Sequence, residues 1–199
     1  FYTALYHSLL QPVDFTEGEK FWCGIDGEGK VFEGEGFRFY ADDWCMWDTF
    51  RTSHPLQTLV EPERAADKVQ SYVHMYEEGG WLPKCPWQAK SYSRVMIGNH
   101  SICFIADAWN KGITGFDEDS AWEGVFKTSM EDNLENVPEG FYGYGNYGTL
   151  PSYVSKGYVP QEEDPMQSVS LTLEFAYNDW CAATIAAARG DDKNRQYFM

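Results

Sequence analysis

The sequence predicts a mainly α-helical fold: part of an (α/α)6 toroid contributing about three helical hairpins, with a short β-hairpin inserted near 21–40. Three observations predict it. Segments that are apolar nearly all round, 99–112 and 168–189, alternate with segments that are apolar on one side only, 62–78 and 118–131. A helix apolar all round must be buried on most sides, whereas a one-sided helix keeps a face to solvent. The third observation is the stretch 21–40, where aromatic residues flank a Gly-rich turn instead of following a helical period. Alternation of the two helix types is what concentric inner and outer layers require. A plain helical bundle is the alternative arrangement.

Each element has a local signal. Residues 1–10 read as the end of a helix closed by Pro12. Phe21-Trp22-Cys23-Gly24, Asp26-Gly27-Glu28-Gly29, Val31-Phe32 and Phe37-Arg38-Phe39-Tyr40 read as a hairpin with a returning strand. Asp48 is placed to cap a helix over 49–60, in which Pro55 either kinks the helix or marks a first turn after Ser53. Pro62 suits the first turn of the next helix. There Ala65, Val69, Tyr72, Val73 and Tyr76 recur at i+3/i+4, leaving Arg64, Lys68 and Gln70 outside, until Gly79-Gly80 ends it. Asn99 or His100 opens a third helix with the interior Ile102-Cys103-Phe104-Ile105-Ala106. The fourth, 118–131, carries Ala121, Trp122, Val125, Phe126 and Met130 on one side. Residues 132–166 form a long Gly/Tyr-rich connection, of the kind that is functional or poorly ordered. The last strong helix runs over 168–189 and stops at Gly190.

Composition bounds the function. With 199 residues, 43% hydrophobic and 23% charged, the chain is long enough for one domain with a real core. A net charge of −16 excludes nucleic acid and anionic membrane surfaces as partners, because both repel an acidic protein. No run of about 18 apolar residues exists, so no segment is suited to span a membrane. The 8 Trp and 13 Tyr suit either a sugar cleft, where pyranose faces stack on rings, or a helical core filled with rings. Five dispersed cysteines, odd in number and without C-x-x-C, imply neither a zinc site nor a closed set of disulfides. Cys103 and Cys181 fall in apolar runs and read as buried thiols. The chain opens without Met and already in helical pattern, and stops just after a new helical start. Residues 1–199 therefore read as a single segment truncated at both ends, and the missing signal peptide says nothing about compartment.

Charged and aromatic groups mix most densely in Trp47-Asp48-Thr49-Phe50-Arg51-Thr52-Ser53-His54-Pro55-Leu56. Together with Met75-Tyr76-Glu77-Glu78-Gly79-Gly80-Trp81-Leu82-Pro83, Met96-Ile97-Gly98-Asn99-His100, Gly157-Tyr158-Val159-Pro160 and the Ser168–Tyr177 block, it resembles glycoside hydrolase family 92, the calcium-dependent exo-acting α-mannosidases. Five blocks in family order span nearly the whole chain. The resemblance implies part of the catalytic α/α toroid of a secreted or periplasmic enzyme acting on α-mannoside glycans such as N-glycan mannose. It also implies an inverting mechanism, in which a protonated carboxylic acid and a second carboxylate lie ~6.5–9.5 Å apart. In the family both carboxylates, and a His-rich segment that helps hold calcium, lie C-terminal to everything matched here. No catalytic residue is therefore expected within 1–199, and the calcium ligands within it are unknown.

What the segment offers is pit wall, because loops at the starts of inner helices face the substrate in α/α toroids. The candidate sugar-binding residues are Trp47, Asp48, Arg94, Asn99 and His100. Asp48 is either an acceptor for two sugar hydroxyls or a helix cap. His100 is either a sugar or supporting contact or a satisfied core histidine. Arg51 reads as an ion-pair partner behind the pit, and His54 as structural. Trp81 and Trp87 form either a stacking platform or a hydrophobic plug. Asp107, inside an apolar helix, requires a partner and reads as the cap of a neighbouring helix. Asn99-His100-Ser101 matches the glycosylation pattern, but it opens a buried helix and reads as a false match. A non-catalytic carbohydrate-binding or scaffold helical module is the alternative to an enzyme segment.

Overall fold

Aromatic side chains at alternate positions organise the N-terminal part of the chain into two antiparallel ribbons. The computed structural model describes residues 1–34, 36–41, 45–90, 92, 96–131 and 150–199. After helix α1 (Tyr2–Ser8), strand β1 (Val13–Asp14) pairs with β4 (Tyr40–Ala41), and between them β2 (Lys20–Cys23) pairs with β3 (Lys30–Glu33). The Asp26 carboxylate closes the inner turn by accepting the backbone N–H groups of Glu28 and Gly29, both at 3.0 Å. The expected single hairpin is thus two nested ribbons. The strand returning to Phe21 is β3, with Phe21 opposite Phe32, while Tyr40 lies opposite Asp14. The reason is alternation: Phe21 and Cys23 point inward and join Ile25, Phe39, Met75 and Trp81 in one apolar cluster.

Nine helices occur among the described residues. The segment expected as one helix over 49–60 is two, α2 (Met46–Thr49) and α3 (Ser53–Val60), with Pro55 in the first turn of α3 where its missing N–H costs nothing. Asp48 caps neither, since the caps are Cys45 and Thr52. Helix α4 (Pro62–Gly79) opens on its proline and closes on Gly80, whose φ of 81° is left-handed. Then come α5 (His100–Asn110) and α6 (Glu118–Met130). Helix α6 is capped by the Asp117 carboxylate, which accepts from Asp119 N–H and Ser120 N–H. Part of the expected long connection is α7 (Leu150–Lys156), and the remainder at 132–149 lies outside the described residues. The chain finishes with α8 (Ser168–Ala188) and α9 (Asp192–Phe198).

Packing makes two layers. Helix α3 packs on α5 and α5 on α8, forming an inner row, while α4 packs on α6 in an outer row. Contacts of α3 with α4, α4 with α5, α6 with α8 and α8 with α9 join the rows. This is a partial α/α toroid, with the main core between the rows around Val69, Tyr72, Ile102, Ile105 and Ile185.

Burial departs from expectation in two places. Helix α5 is buried as predicted, but α8 leaves Val169 73% and Leu173 66% exposed, because no described element covers that face. Outer helix α4 is more enclosed than a one-sided pattern suggests, because the ribbons cover its far side. Tyr40 N–H donates to Ser71 Oγ at 2.9 Å, and the His74 ring meets the edges of Phe21 and Phe32. Lys68, expected outside, is buried, with its Nζ 2.7 Å from Gln57 Oε1 and 5.2 Å from the Tyr40 ring centre. Two further sequence readings change. Cys45 and Cys85 form a disulfide across 40 positions, leaving Cys23, Cys103 and Cys181 as buried thiols. Asp107 finds its partners in Thr58 Oγ1 and Lys111 Nζ, both at 2.8 Å, and caps no helix.

Candidate functional site

The polar cluster nearest the sequence-predicted residues forms where α2, the start of α5 and the second turn of α8 meet. Its centre is the Glu174 carboxylate, whose Oε2 lies 2.7 Å from His100 Nε2. The Trp47 indole lies beside the same carboxylate, and the Arg51 charge acts on it. Arg51 itself lies over two rings, 4.6 Å from the Trp47 centre and 4.8 Å from that of Phe50. Phe50 stacks on His100 with ring centres 3.8 Å apart, and Tyr177 borders both rings.

Local sequence explains why these groups meet. Residue 98 must take a φ of +69°, which favours glycine. A Cβ there would sit 3.0 Å from both Glu174 Cβ and His100 Nε2, so glycine is also required by space. The loop before α5 can therefore press directly against α8. Asn178, one turn beyond Glu174, accepts Asn99 N–H on its Oδ1 at 2.7 Å. That orientation points its amide N–H at His100 Nδ1, 3.3 Å away.

The electrostatics follow from burial. Burial, reinforced by the Arg51 and Lys84 charges, lowers the His100 pKa to about 3, so the ring is neutral. His100 Nδ1 lies 3.3 Å from the Asn178 amide nitrogen and 3.4 Å from Cys103 Sγ, while Nε2 lies near Glu174 Oε2 without an aligned hydrogen bond. Burial raises the Glu174 pKa, while Arg51 and the Trp47 N–H oppose the rise. Behind the cluster, burial also pushes Asp179 up to about 6 against the hydrogen bond it accepts from the Tyr153 hydroxyl at 2.8 Å.

The five sequence-predicted residues are distributed unevenly. Trp47 and His100 share Glu174. Asp48 is exposed on the same short helix as Trp47. Asn99 and His100 are 3% and 0% exposed, so in this conformation neither side chain reaches solvent. The Asn99 Oδ1 accepts from the Ser101 hydroxyl at 2.6 Å, which also leaves the glycosylation pattern inaccessible. Asn99 lines a half-open pocket of about 30 Å³ with Ile102, Thr128, Ser129 and Asp179, room for a water molecule. Arg94 lies outside the described residues.

Other readings resolve more simply. His54 is a core histidine, stacked 4.2 Å from the Phe104 ring centre. Trp81 is buried beneath Lys127 and acts as a plug, whereas Trp87 is half exposed, so the two do not form one platform. Glu174 was absent from the sequence-derived set. Its signal was present, as a carboxylate one helical turn before an Asn in a stretch, 171–176, where Thr172 is the only other polar residue.

The arrangement gathers a carboxylate, an indole, an imidazole and a guanidinium where α2, α5 and α8 meet. Calcium, which the family resemblance implies, takes six to eight oxygen ligands. Among the described residues no group of three or more His, Cys, Asp or Glu side chains is placed to hold a metal ion.

Comparison with known proteins bears on this arrangement. The profile described as the glycosyl hydrolase family 92 catalytic domain matches residues 1–199. The chain superposes on the α-mannosidase BT3965 of Bacteroides thetaiotaomicron, solved with mannoimidazole, with a TM-score of 0.83 and 33% identity. That match covers 100% of this chain and 24% of the other. The inverting mannosidase BT2199 of Bacteroides thetaiotaomicron VPI-5482 matches with a TM-score of 0.82 and 32% identity, over 100% of this chain and 26% of its own. A protein of Arthroderma benhamiae described as an uncharacterized secreted glycosidase is 26% identical over 208 residues, covering 100% of this chain and 21% of the relative. The chain thus spans about a quarter of the length of these relatives.

Proposed function

The chain belongs to glycosyl hydrolase family 92, and from that premise we propose that it forms part of the catalytic domain of an inverting, exo-acting α-mannosidase. The observation that carries this reading is its match, along its whole length, to two mannosidases of known structure at 33% and 32% identity. In this reading residues 1–199 supply part of the wall of the sugar pit. Trp47 gives an indole edge and Asp48 a carboxylate that accepts hydrogen bonds from two hydroxyls of a terminal mannose. Arg94 belongs to the same proposed set. Asn99 and His100 hold the wall from behind.

An inverting reaction needs a carboxylic acid at the leaving oxygen and a carboxylate holding water on the opposite face. Both are assigned to parts of the enzyme other than residues 1–199, as are the calcium ligands. Substrates are α-mannosides such as the mannose residues of N-glycans, and the setting is secreted or periplasmic. A disulfide between Cys45 and Cys85 suits an oxidising compartment, and the Arthroderma benhamiae relative is described as secreted.

The test compares the 199-residue chain with the longer enzyme that contains it, on an aryl α-mannoside. The longer enzyme hydrolyses the substrate with inversion and loses activity to a chelator, and calcium restores it. The isolated chain is inactive. Asp48→Ala in the longer enzyme lowers kcat/KM at least ~10-fold, as the loss of a charged hydrogen bond implies. Activity of the isolated chain that survives repurification refutes the assignment of the catalytic groups. An unchanged kcat/KM in Asp48→Ala refutes the sugar-contact role.

A further inference from the structure

We propose that Lys84 and Cys85 form a clamp that sets the spacing between α2 and the loop opening α5, which makes Lys84 a positioning residue of the mannoside site. The inference rests on the reading of Trp47 and Asp48 as sugar contacts, because α2 carries both. Helix α2 spans four residues, Met46–Thr49, without a side-chain cap, and is too short to hold its own orientation. Its anchor is the segment 84–85. Cys45 is bonded to Cys85, and Met46 N–H donates to the Lys84 carbonyl at 3.2 Å.

The same segment reaches the other element. Lys84 is 1% exposed, and its Nζ donates to the Met96 carbonyl. Met96 has a φ of 66° and Gly98 a φ of 69°, so the loop takes two left-handed steps just before Asn99 and His100. A non-glycine residue keeps such a backbone only where its surroundings fix it, and the Lys84 amine is one such fixture. The clamp is itself tied to the core. Leu82 belongs to the main apolar cluster, and its N–H donates to Thr128 Oγ1 on α6 at 3.3 Å. The Trp81 carbonyl accepts the Tyr92 hydroxyl at 3.0 Å. Burying an amine costs free energy that a methionine of similar length would not incur. Methionine has no N–H to offer residue 96, so what the lysine adds is the hold on the loop.

A cycle of variants in the longer enzyme tests this, with kcat and KM on an aryl α-mannoside measured well below the melting temperature of each. Lys84→Met releases the loop, and Cys45→Ser with Cys85→Ser releases α2. Each raises KM and lowers kcat/KM at least ~10-fold, since a misplacement of about 1 Å at a binding wall costs that much or more. Combining them costs no more than about threefold beyond the worse of the two, because one spacing is lost either way. Should Lys84→Met not fold, the serine pair carries the test alone, through its rise in KM. A lowered melting temperature with KM within twofold of wild type, in either variant, overturns the clamp and leaves the Asp48 reading intact. So do losses that multiply when the variants are combined. Unchanged kcat/KM in Asp48→Ala overturns the sugar-contact reading, and this proposal with it.

Discussion

Replacing His74 by Leu removes a pH-dependent part of the stability whose size the structure sets. His74 sits on α4 with its ring against the edges of Phe21, at 4.9 Å between centres, and Phe32, at 4.5 Å. Burial alone lowers its pKa from 6.5 to about 4. A base with a depressed folded-state pKa binds fewer protons folded than unfolded, so its contribution to stability is complete above about pH 6.5 and is lost as pH falls toward 4. At pH 5 the unfolded histidine is almost fully protonated and the folded one almost fully neutral, which costs the native state about 2 kcal/mol relative to pH 7.5. His54 and His100, both lowered to about 3, act in the same direction, while Asp179, raised to about 6, acts against them. Comparing the variant with wild type cancels these shared terms. Urea unfolding followed by far-ultraviolet circular dichroism at pH 7.5 and 5 gives both free energies. In His74→Leu the loss between the two pH values is smaller by about 2 kcal/mol. An identical loss in both proteins refutes the neutral-histidine account, whatever the absolute stability of the variant.

Gly98→Ala combines a left-handed backbone with overpacking against Glu174 and His100, and destabilises by roughly 2–4 kcal/mol, read from thermal or chemical unfolding. Cys45→Ser with Cys85→Ser opens a 40-position crosslink and lowers stability by about 2–4 kcal/mol, an effect that reducing agent reproduces in wild type but not in the variant. The apolar face of α8 causes the isolated chain to self-associate, and Leu173→Glu shifts it toward monomer in size-exclusion chromatography.

Helices were legible where period and boundary residues agreed. Pro62 and Gly80 bracket α4 within a residue of the expected limits, and the all-round apolar character of 99–112 located α5 in the inner row. The failures share a cause, which is that distant chain decides local burial. Lys68 lies on a face that is polar by period, yet it is enclosed once Gln57 and the Tyr40 ring come over it from elsewhere in the sequence. The split between α2 and α3 was hidden because Phe50, Arg51 and Thr52 carry no turn residue. Their break is set by rings and a guanidinium stacking around His100 and Trp47. The disulfide was invisible because pairing depends on the approach of Cys45 to Cys85, which spacing alone does not encode.

The candidate site was legible in the same partial way, and the missing part concerns function most. Sequence patterns single out residues whose type is unusual for their surroundings, such as Trp47-Asp48 at a helix start and Asn99-His100 opening an apolar helix. They do not reveal that His100 is wholly buried and reaches the surface only through another side chain. Glu174 reads as an ordinary acid on a helix, and its importance appears only when the ring nitrogen it meets is traced. His100 Nδ1 meets both Asn178 and Cys103, and Asn178 Oδ1 accepts Asn99 N–H, so the imidazole is held from its interior side. On its other side Nε2 lies 2.7 Å from the Glu174 carboxylate. A chain of polar contacts thus runs from Asn178 in the interior of α8 through His100 to Glu174.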